Sequence, residues 1–245
     1  MTWTLHHGDC LDPVTGLAGL ADKSVDVTIA DPPYEAEAHE HGKRQNPTRD
    51  GQVRVVDDGI DFDAITEEER LLVALHIARV TVHVAAVFCQ VEAVAAWRSA
   101  FELAGMPYRR TIPWVKPDAM PSLHGRWPGQ AFESIVIAQH VKARTPPIGG
   151  ASRTYSFSRD RERPHPTVKP LPLMLAILED FTRPGDLVLD THSGSGTTGV
   201  ACNQLGRHFI GWERDANYHA IATRRLRGDE ARPNPAQPSL FGGAA

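Results

Sequence analysis

Cysteine is scarce in this chain: 245 residues hold only Cys10, Cys89 and Cys202, scattered and without a C-x-x-C pair. An odd, dispersed set builds neither a disulfide framework nor a zinc site, and it implies free thiols in a reducing, cytoplasmic setting. Long apolar runs are missing too. None approaches the roughly 18–20 residues that span a bilayer, so no membrane partner is expected. Residues 1–7 lack a basic start and an apolar stretch, which argues against a secretory signal. Twelve histidines occur without H-E-x-x-H spacing, and no bound metal is expected. Excess positive charge is also absent. Lys and Arg number 26 against 30 Asp and Glu, a net charge of −4 that by itself speaks weakly against a nucleic-acid partner.

The distribution of charge says more than its sum. Residues 141–165 carry Lys142, Arg144, Arg153, Arg159, Arg161 and Arg163 against only Asp160 and Glu162. Arg224, Arg225 and Arg227 form a second basic set, while acids gather at 57–70. Local basic surface, not net charge, determines whether phosphates are attracted. Such a loop either meets a phosphate backbone or is simply solvated.

Apolar runs alternate between strand and helix patterns. Strands are predicted at 3–6, 25–30, 82–88, 110–115, 134–138, 187–190 and 208–212, and helices at 66–81, 91–104, 171–181, 197–205 and 216–227. Seven strands interleaved with helices predict one open α/β domain, its sheet mostly parallel and covered on both faces. Residues 35–61 and 141–164 break the rhythm and read as inserted loops. The last segment, 228–245, reads as a flexible tail.

Two stretches carry chemistry. Asp31-Pro32-Pro33-Tyr34 follows the strand at 25–30 directly, and open parallel sheets bind ligands beyond the carboxyl ends of their strands. Proline withholds its N–H and leaves carbonyls free to accept. With the Asp31 carboxylate and the Tyr34 ring, this makes an acceptor-rich corner for a flat molecule bearing an NH2 group, or else an ordinary Pro-Pro turn. The second stretch is a strand ending at Asp190, followed by Thr191-His192-Ser193-Gly194-Ser195-Gly196-Thr197-Thr198. Glycines permit close backbone approach, and a helix N-terminus favours an anionic group. The next strand ends at Glu213, about twenty residues on, where an acid can hold ribose hydroxyls or serve as a helix N-terminal acid. The glycines do not continue into a dinucleotide fingerprint, so an adenosyl amino acid suits them better than NAD.

Together these residues resemble the amino-directed (N6-adenine and N4-cytosine) DNA methyltransferases. The order, with Asp-Pro-Pro-Tyr first and the glycine-rich strand late, is similar to that family's β group, and the resemblance spans residues 3–227. It implies a single Rossmann-like methyltransferase domain over 1–227, S-adenosylmethionine as methyl donor, no metal, and double-stranded DNA whose target base is flipped. Asp31, Pro32, Pro33 and Tyr34 match the catalytic motif, with Asp31 also bordering the cofactor. Asp190 through Thr198 match the cofactor turn, and Glu213, beside Arg214, matches the ribose-binding acid. His7-Gly8-Asp9-Cys10 is similar to the adenine-contacting segment. His165, Thr167 and Lys169, in His-Pro-Thr-Val-Lys-Pro, resemble a segment against the methionine end. Trp114-Val-Lys116-Pro117 and Glu133 also resemble positions in relatives; core packing is the default for Trp114.

One departure stands out. Relatives carry Pro-Phe where this chain has Thr191-His192, so His192 either replaces the Phe as a flat ring or tunes affinity with pH. An initial Asp in the tetrapeptide leans towards adenine N6, with cytosine N4 the alternative. An RNA or small-amine methyltransferase, and a catalytically silent DNA-binding module, are further readings. Relatives of the β group often pair up, which implies a homodimer, and such enzymes act alone or beside a restriction enzyme. Gln237-Pro238-Ser239-Leu240-Phe241 resembles the short peptide by which bacterial proteins engage the sliding clamp, the alternative being a tail folded onto its own domain.

Overall fold

In the computed structural model the described residues are 2–34, 64–119, 129–158 and 168–229, plus the backbone of 44–47 and 53–56. The strands are β1 (Trp3–His7), β2 (Val25–Ala30), β3 (Arg44–Pro47), β4 (Val53–Val56), β5 (Thr81–Cys89), β6 (Tyr108–Val115), β7 (Phe132–Gln139), β8 (Tyr155–Ser156), β9 (Leu187–Asp190) and β10 (His208–Glu213). The helices are α1 (Glu67–Val80), α2 (Val94–Leu103), α3 (Leu171–Phe181), α4 (Thr197–Leu205) and α5 (Ala216–Arg227).

The main sheet runs β1-β10-β9-β2-β5-β7-β6-β8. From β1 to β5 every neighbour is parallel, whereas β7 lies antiparallel to both β5 and β6. Both faces are covered, as near-continuous apolar strands require. Along β5 the side chains alternate with the pleat. Ala85, Val87 and Cys89 enter a core with Val73, Ile77, Trp97 and Phe101 of α1 and α2. Val84, Ala86 and Phe88 enter the opposite core with Leu173, Ile177, Ala201 and Leu226 of α3, α4 and α5.

Helix limits follow local chemistry. Thr66 caps α1 by accepting from the Glu69 N–H (3.1 Å), while the Glu69 carboxylate accepts from the Thr66 N–H (2.8 Å), a reciprocal capping box. The helix predicted over 66–81 therefore begins after Thr66 and ends before Thr81, which cap it. The helix predicted over 91–104 starts as a 3-10 turn, Val91–Ala93, before α2.

The sheet has an eighth strand that periodicity did not reveal. β8 has two residues, too few for a pattern, and pairs with β6 at Trp114↔Tyr155 and Val115↔Ser156. It lies within the stretch read as a loop over 141–164. That stretch is fastened to the body by ion pairs, Arg144 to Asp186 and Arg153 to Asp180, and by the buried Tyr155 hydroxyl donating to Asp180 (2.6 Å). Two of the arginines expected to meet phosphate thus already hold carboxylates. The other expected loop, 35–61, contains the antiparallel pair β3 and β4.

Removing Asp180 strands the Tyr155 hydroxyl in the core. Asp180→Ala is expected to lower the unfolding free energy by about 1–3 kcal/mol in urea titrations. Arg153→Ala should cost under about 1 kcal/mol, because that pair is partly solvated.

Candidate active site

The carboxyl ends of β1, β2, β9 and β10 open into one cavity of about 790 Å³. Gly8 to Leu11 enter it after β1, Asp31 to Tyr34 after β2, Asp190 to Ser195 after β9, and Glu213 with Arg214 after β10. The two loops at Asp31 and Gly194 thus share one cavity. They meet because β2 pairs with β9 in parallel, Val27↔Val188 and Thr28↔Leu189.

On the β9–β10 side the acids are held by backbone. Glu213 accepts from the Gly194 N–H (2.7 Å) and the Asp215 N–H (2.8 Å), which fixes its carboxylate at the strand end. Burial still pushes it up from the usual carboxylate range. Asp190 accepts from the Thr198 hydroxyl (2.5 Å) and the His192 N–H (3.1 Å). Burial lifts it to about 7, with Asp31 and Glu213 adding to the rise. Asp9 accepts from the Leu11 N–H (2.8 Å), which orders the turn after β1. A cavity edged by Asp9, Asp31, Asp190 and Glu213 suits a cationic ligand, and the α4 N-terminus offers N–H groups to a carboxylate. S-adenosylmethionine carries a sulfonium, an ammonium and a carboxylate, so these residues fit it.

Gly196 does not line the cavity. It caps α4 at φ 80°, in the left-handed region, and a Cβ there would lie 2.8 Å from the Ala222 Cβ. Its smallness lets α5 approach the loop, while Gly194, Ser195, Thr197 and Thr198 face the cavity.

On the β2 side lies an ionic corner. Lys169 donates to Asp31 (2.7 Å) and to the Tyr34 hydroxyl (3.1 Å), and lies 3.3 Å from Glu133. Tyr34 donates to Glu133 (2.5 Å), which also accepts from Lys116. Phe88, Trp114 and Tyr34 pack around the Lys169 ammonium at 5.0, 5.9 and 5.3 Å from their ring centres. Burial works against the Glu133 carboxylate, yet Lys169 and Lys116 hold it at about 2. Burial also works against the Lys169 charge, and Asp31 and Glu133 more than restore it. Asp31 is pushed upward by burial, with Lys169 opposing and Glu133 adding. Its Oδ1 is buried and has no hydrogen-bond partner.

Most expected site residues therefore converge: Asp9, Cys10, Asp31 to Tyr34, Asp190 to Ser195, Thr197, Thr198, Glu213 and Arg214. Lys169, expected with the methionine-end segment, lies in the Asp31 corner. His165 and Thr167 fall outside the described residues. Glu69, at the α1 start, and Asn217 and Tyr218, at the α5 start, also line the cavity, although no motif marked them. Lys116 and Glu133 prove to be partners of the corner. Trp114 serves both roles, buried at 2% exposure with its Nε1–H donating to the Phe157 carbonyl (2.9 Å) while it walls the cavity. His192 lies between the Thr191 hydroxyl (2.8 Å) and the Cys10 thiol (3.7 Å). Burial lowers it to about 4, so it is neutral near pH 7 and does not titrate there. Among the described residues no His, Cys, Asp or Glu group is gathered to hold a metal, and no helix is long and apolar enough to cross a membrane.

A mostly parallel α/β sheet whose acid-tipped strands and glycine loop share a cavity with Asp-Pro-Pro-Tyr defines a Rossmann-like, S-adenosylmethionine-dependent methyltransferase. Its sequence relatives narrow the class. The chain belongs to the N6/N4 DNA methylase family, whose profile matches residues 25–224. It is similar to the type II methyltransferase M2.DpnII of Streptococcus pneumoniae, 30% identical over 240 residues, 87% of this chain and 86% of that protein. It is also similar to the type II methyltransferase M.HinfI of Haemophilus influenzae, 24% identical and covering 95% of this chain and 70% of that one. Among solved structures, the M1.HpyAVI–SAM complex matches with a TM-score of 0.69 at 27% identity, over 92% of this chain and all 100% of the other. The cytosine-N4-specific PvuII DNA methyltransferase shares the fold, with a TM-score of 0.71 at 15% identity over 96% and 88% of the two chains. The protein is thus a DNA methyltransferase that uses S-adenosylmethionine and acts on an exocyclic amino group.

His192 sets a pH test. Its folded value, about 4, lies below the unfolded 6.5, so acidification protonates the unfolded chain first and native stability falls from pH 6.5 towards 4. Asp190, raised to about 7 from 3.8, works in the opposite sense, its contribution being lost as pH rises. Comparing wild type with His192→Phe isolates the first effect. Between pH 7 and 4 the wild type should lose on the order of 1–3 kcal/mol relative to the variant in urea titrations.

Proposed function

We propose that the protein methylates N6 of adenine in double-stranded DNA, taking the base flipped from the helix. The observation that carries this reading is Asp31 on the wall of the cavity shared with the glycine loop, with Tyr34 beside it and its buried Oδ1 without a hydrogen-bond partner. An exocyclic amine has two hydrogens to donate. Asp31 Oδ1 and the Pro32 carbonyl accept them, and the Tyr34 ring stacks on the base. The amine lone pair is ordinarily delocalised into the ring. Acceptors that orient its hydrogens localise that pair on nitrogen and stabilise the positive charge developing there. S-adenosylmethionine supplies, when bound, an electrophilic methyl on a sulfonium. As the N–C bond forms the C–S bond breaks, S-adenosylhomocysteine leaves, and the nitrogen gives up one proton to water. The chain holds the partners in line, which supplies much of the rate enhancement.

Glu213 is assigned to the ribose hydroxyls, Asp9 to the adenine amine of the cofactor, and Asp190 with Gly194 and the α4 N-terminus to its amino-acid end. Adenine is favoured over cytosine N4 by the initial Asp of the tetrapeptide, since relatives acting on cytosine more often begin with Ser. A stacked base cannot enter such a cavity, so flipping at a cost of a few kcal/mol belongs to the reading. Lys142 and the basic residues near it, together with the 35–61 segment, are the proposed DNA-facing surface. A homodimer, a restriction partner and a cytoplasmic setting complete the proposal.

Incubation with labelled S-adenosylmethionine and either duplex DNA or RNA, followed by nucleoside analysis, should yield N6-methyladenine from DNA. N4-methylcytosine would move the target to the other base, and methylated RNA alone would overturn the substrate. Asp31→Ala should lose at least a hundredfold in single-turnover rate while cofactor binding changes little; undiminished methylation removes Asp31 from its role. The tail residues Gln237 to Phe241 lie outside the described residues, and we assign them to a sliding clamp. Purified clamp should retain the full chain but not one lacking 237–241. Equal retention of both ends that assignment.

A further inference from the structure

The Asp31 corner contains more charge than an amine acceptor requires. Two carboxylates, Asp31 and Glu133, face two ammonium groups, Lys169 and Lys116, with the Tyr34 hydroxyl bridging Lys169 and Glu133. All four charged side chains are largely covered, at 26%, 13%, 10% and 15% exposure respectively. A lysine beside the place where a sulfonium and a developing ammonium belong opposes catalysis by simple repulsion, so its burial there calls for a reason. We propose that Lys169 is a positioning residue for the target amine: it binds Asp31 Oδ2, keeps Asp31 a carboxylate, and leaves Oδ1 free to accept from the base. This rests on the reading of Asp31 as amine acceptor.

The geometry divides the two oxygens. Oδ2 is taken by the Lys169 ammonium at 2.7 Å, and Oδ1 is left buried without a partner. Two acceptors are not equivalent once one is engaged, so the ammonium also fixes the carboxylate's rotation. Charge matters as much as orientation. A carboxylate accepts about twice as strongly as a neutral carboxyl group, and burial pushes Asp31 towards the neutral form. The groups around it act in both senses. Lys169 and Lys116 favour the anion; Glu133 disfavours it, and the Asp31 charge in turn raises Asp190. Tyr34, raised well above its ordinary value by burial and by Glu133 and Asp31, stays a neutral phenol and donates to Glu133. Cys89, beside Tyr34, is buried. Glu133 has the complementary task. Held at about 2, it stays anionic and shares the Lys169 charge, so the cation steadies Asp31 without confronting the reaction with a full positive charge.

The decisive experiment is a single-turnover methylation profile from pH 5 to 9 at saturating S-adenosylmethionine, with cofactor affinity measured by equilibrium binding. Lys169→Met should move the acid limb upward by about one to three units. At pH 7 the rate should fall, with the loss largely recovered by pH 9 and cofactor affinity changed less than about threefold. Lys169→Arg should bring the limb back to within about half a unit of wild type. Glu133→Gln removes a like charge and should move the limb the opposite way, downward. A rate lost equally at every pH, a limb that stays in place in both variants, or a cofactor affinity that falls tenfold with an unchanged rate would each overturn the inference. Those outcomes leave Asp31 untouched, because its role stands or falls on Asp31→Ala.

Discussion

The contact on which this protein depends is the parallel seam between β2 and β9. It is narrow: two in-register pairs, with the Asp26 carboxylate accepting from the Leu187 N–H (2.8 Å) across 161 residues of sequence. Parallel neighbours end on the same side, and a strand's carboxyl end is where the chain leaves the ladder with unpaired groups to offer. Placing the ends of β2 and β9 beside each other therefore brings the Asp31 corner and the glycine loop into one cavity. An antiparallel seam would have sent them to opposite edges. The pleat of β2 and β5 and both cores serve to keep that seam buried.

Charge is the second constraint. The cavity collects carboxylates whose burial raises Asp190 and Glu213, an arrangement unfavourable in an empty protein and relieved by a cationic ligand. On the opposite wall the balance is internal: two lysines and two acids neutralise one another at the Asp31 corner. One half of the cavity thus calls for a positively charged molecule from outside, while the other can receive a neutral base without changing its own charge. That asymmetry matches a reaction in which a sulfonium meets an uncharged amine. The ion pairs of Arg144 and Arg153 have a different purpose. They anchor the loop to α3 and to the turn before β9, so two of its arginines are engaged within the fold.

Much of this was legible in the residues. Seven strands of the main sheet and the five α-helices among the described residues emerged because their apolar runs carry a period. Asp31 to Tyr34 and Asp190 to Thr198 could be read because local chemistry and local geometry coincide there. β3 and β4, within the stretch read as a loop, could not, nor could β8, since two residues make no period and only the edge of β6 and the burial of Tyr155 define it. Gly196 was readable as a glycine the loop requires but not as a glycine α5 requires. The same holds for His192, whose neutrality comes from burial and is invisible in a string of letters.

What the sequence determined alone was the order of the main elements and the identity of most residues that line the cavity, because both rest on neighbours within a turn or a strand. Tertiary structure decided which of those groups meet. Lys169 stands 138 positions from Asp31 and Tyr34 stands 99 from Glu133, and no local rule joins them. Hydrogen bonds and ion pairs act over a few ångströms, so only the folded sheet, by stacking distant strand ends side by side, could turn separate motifs into one site.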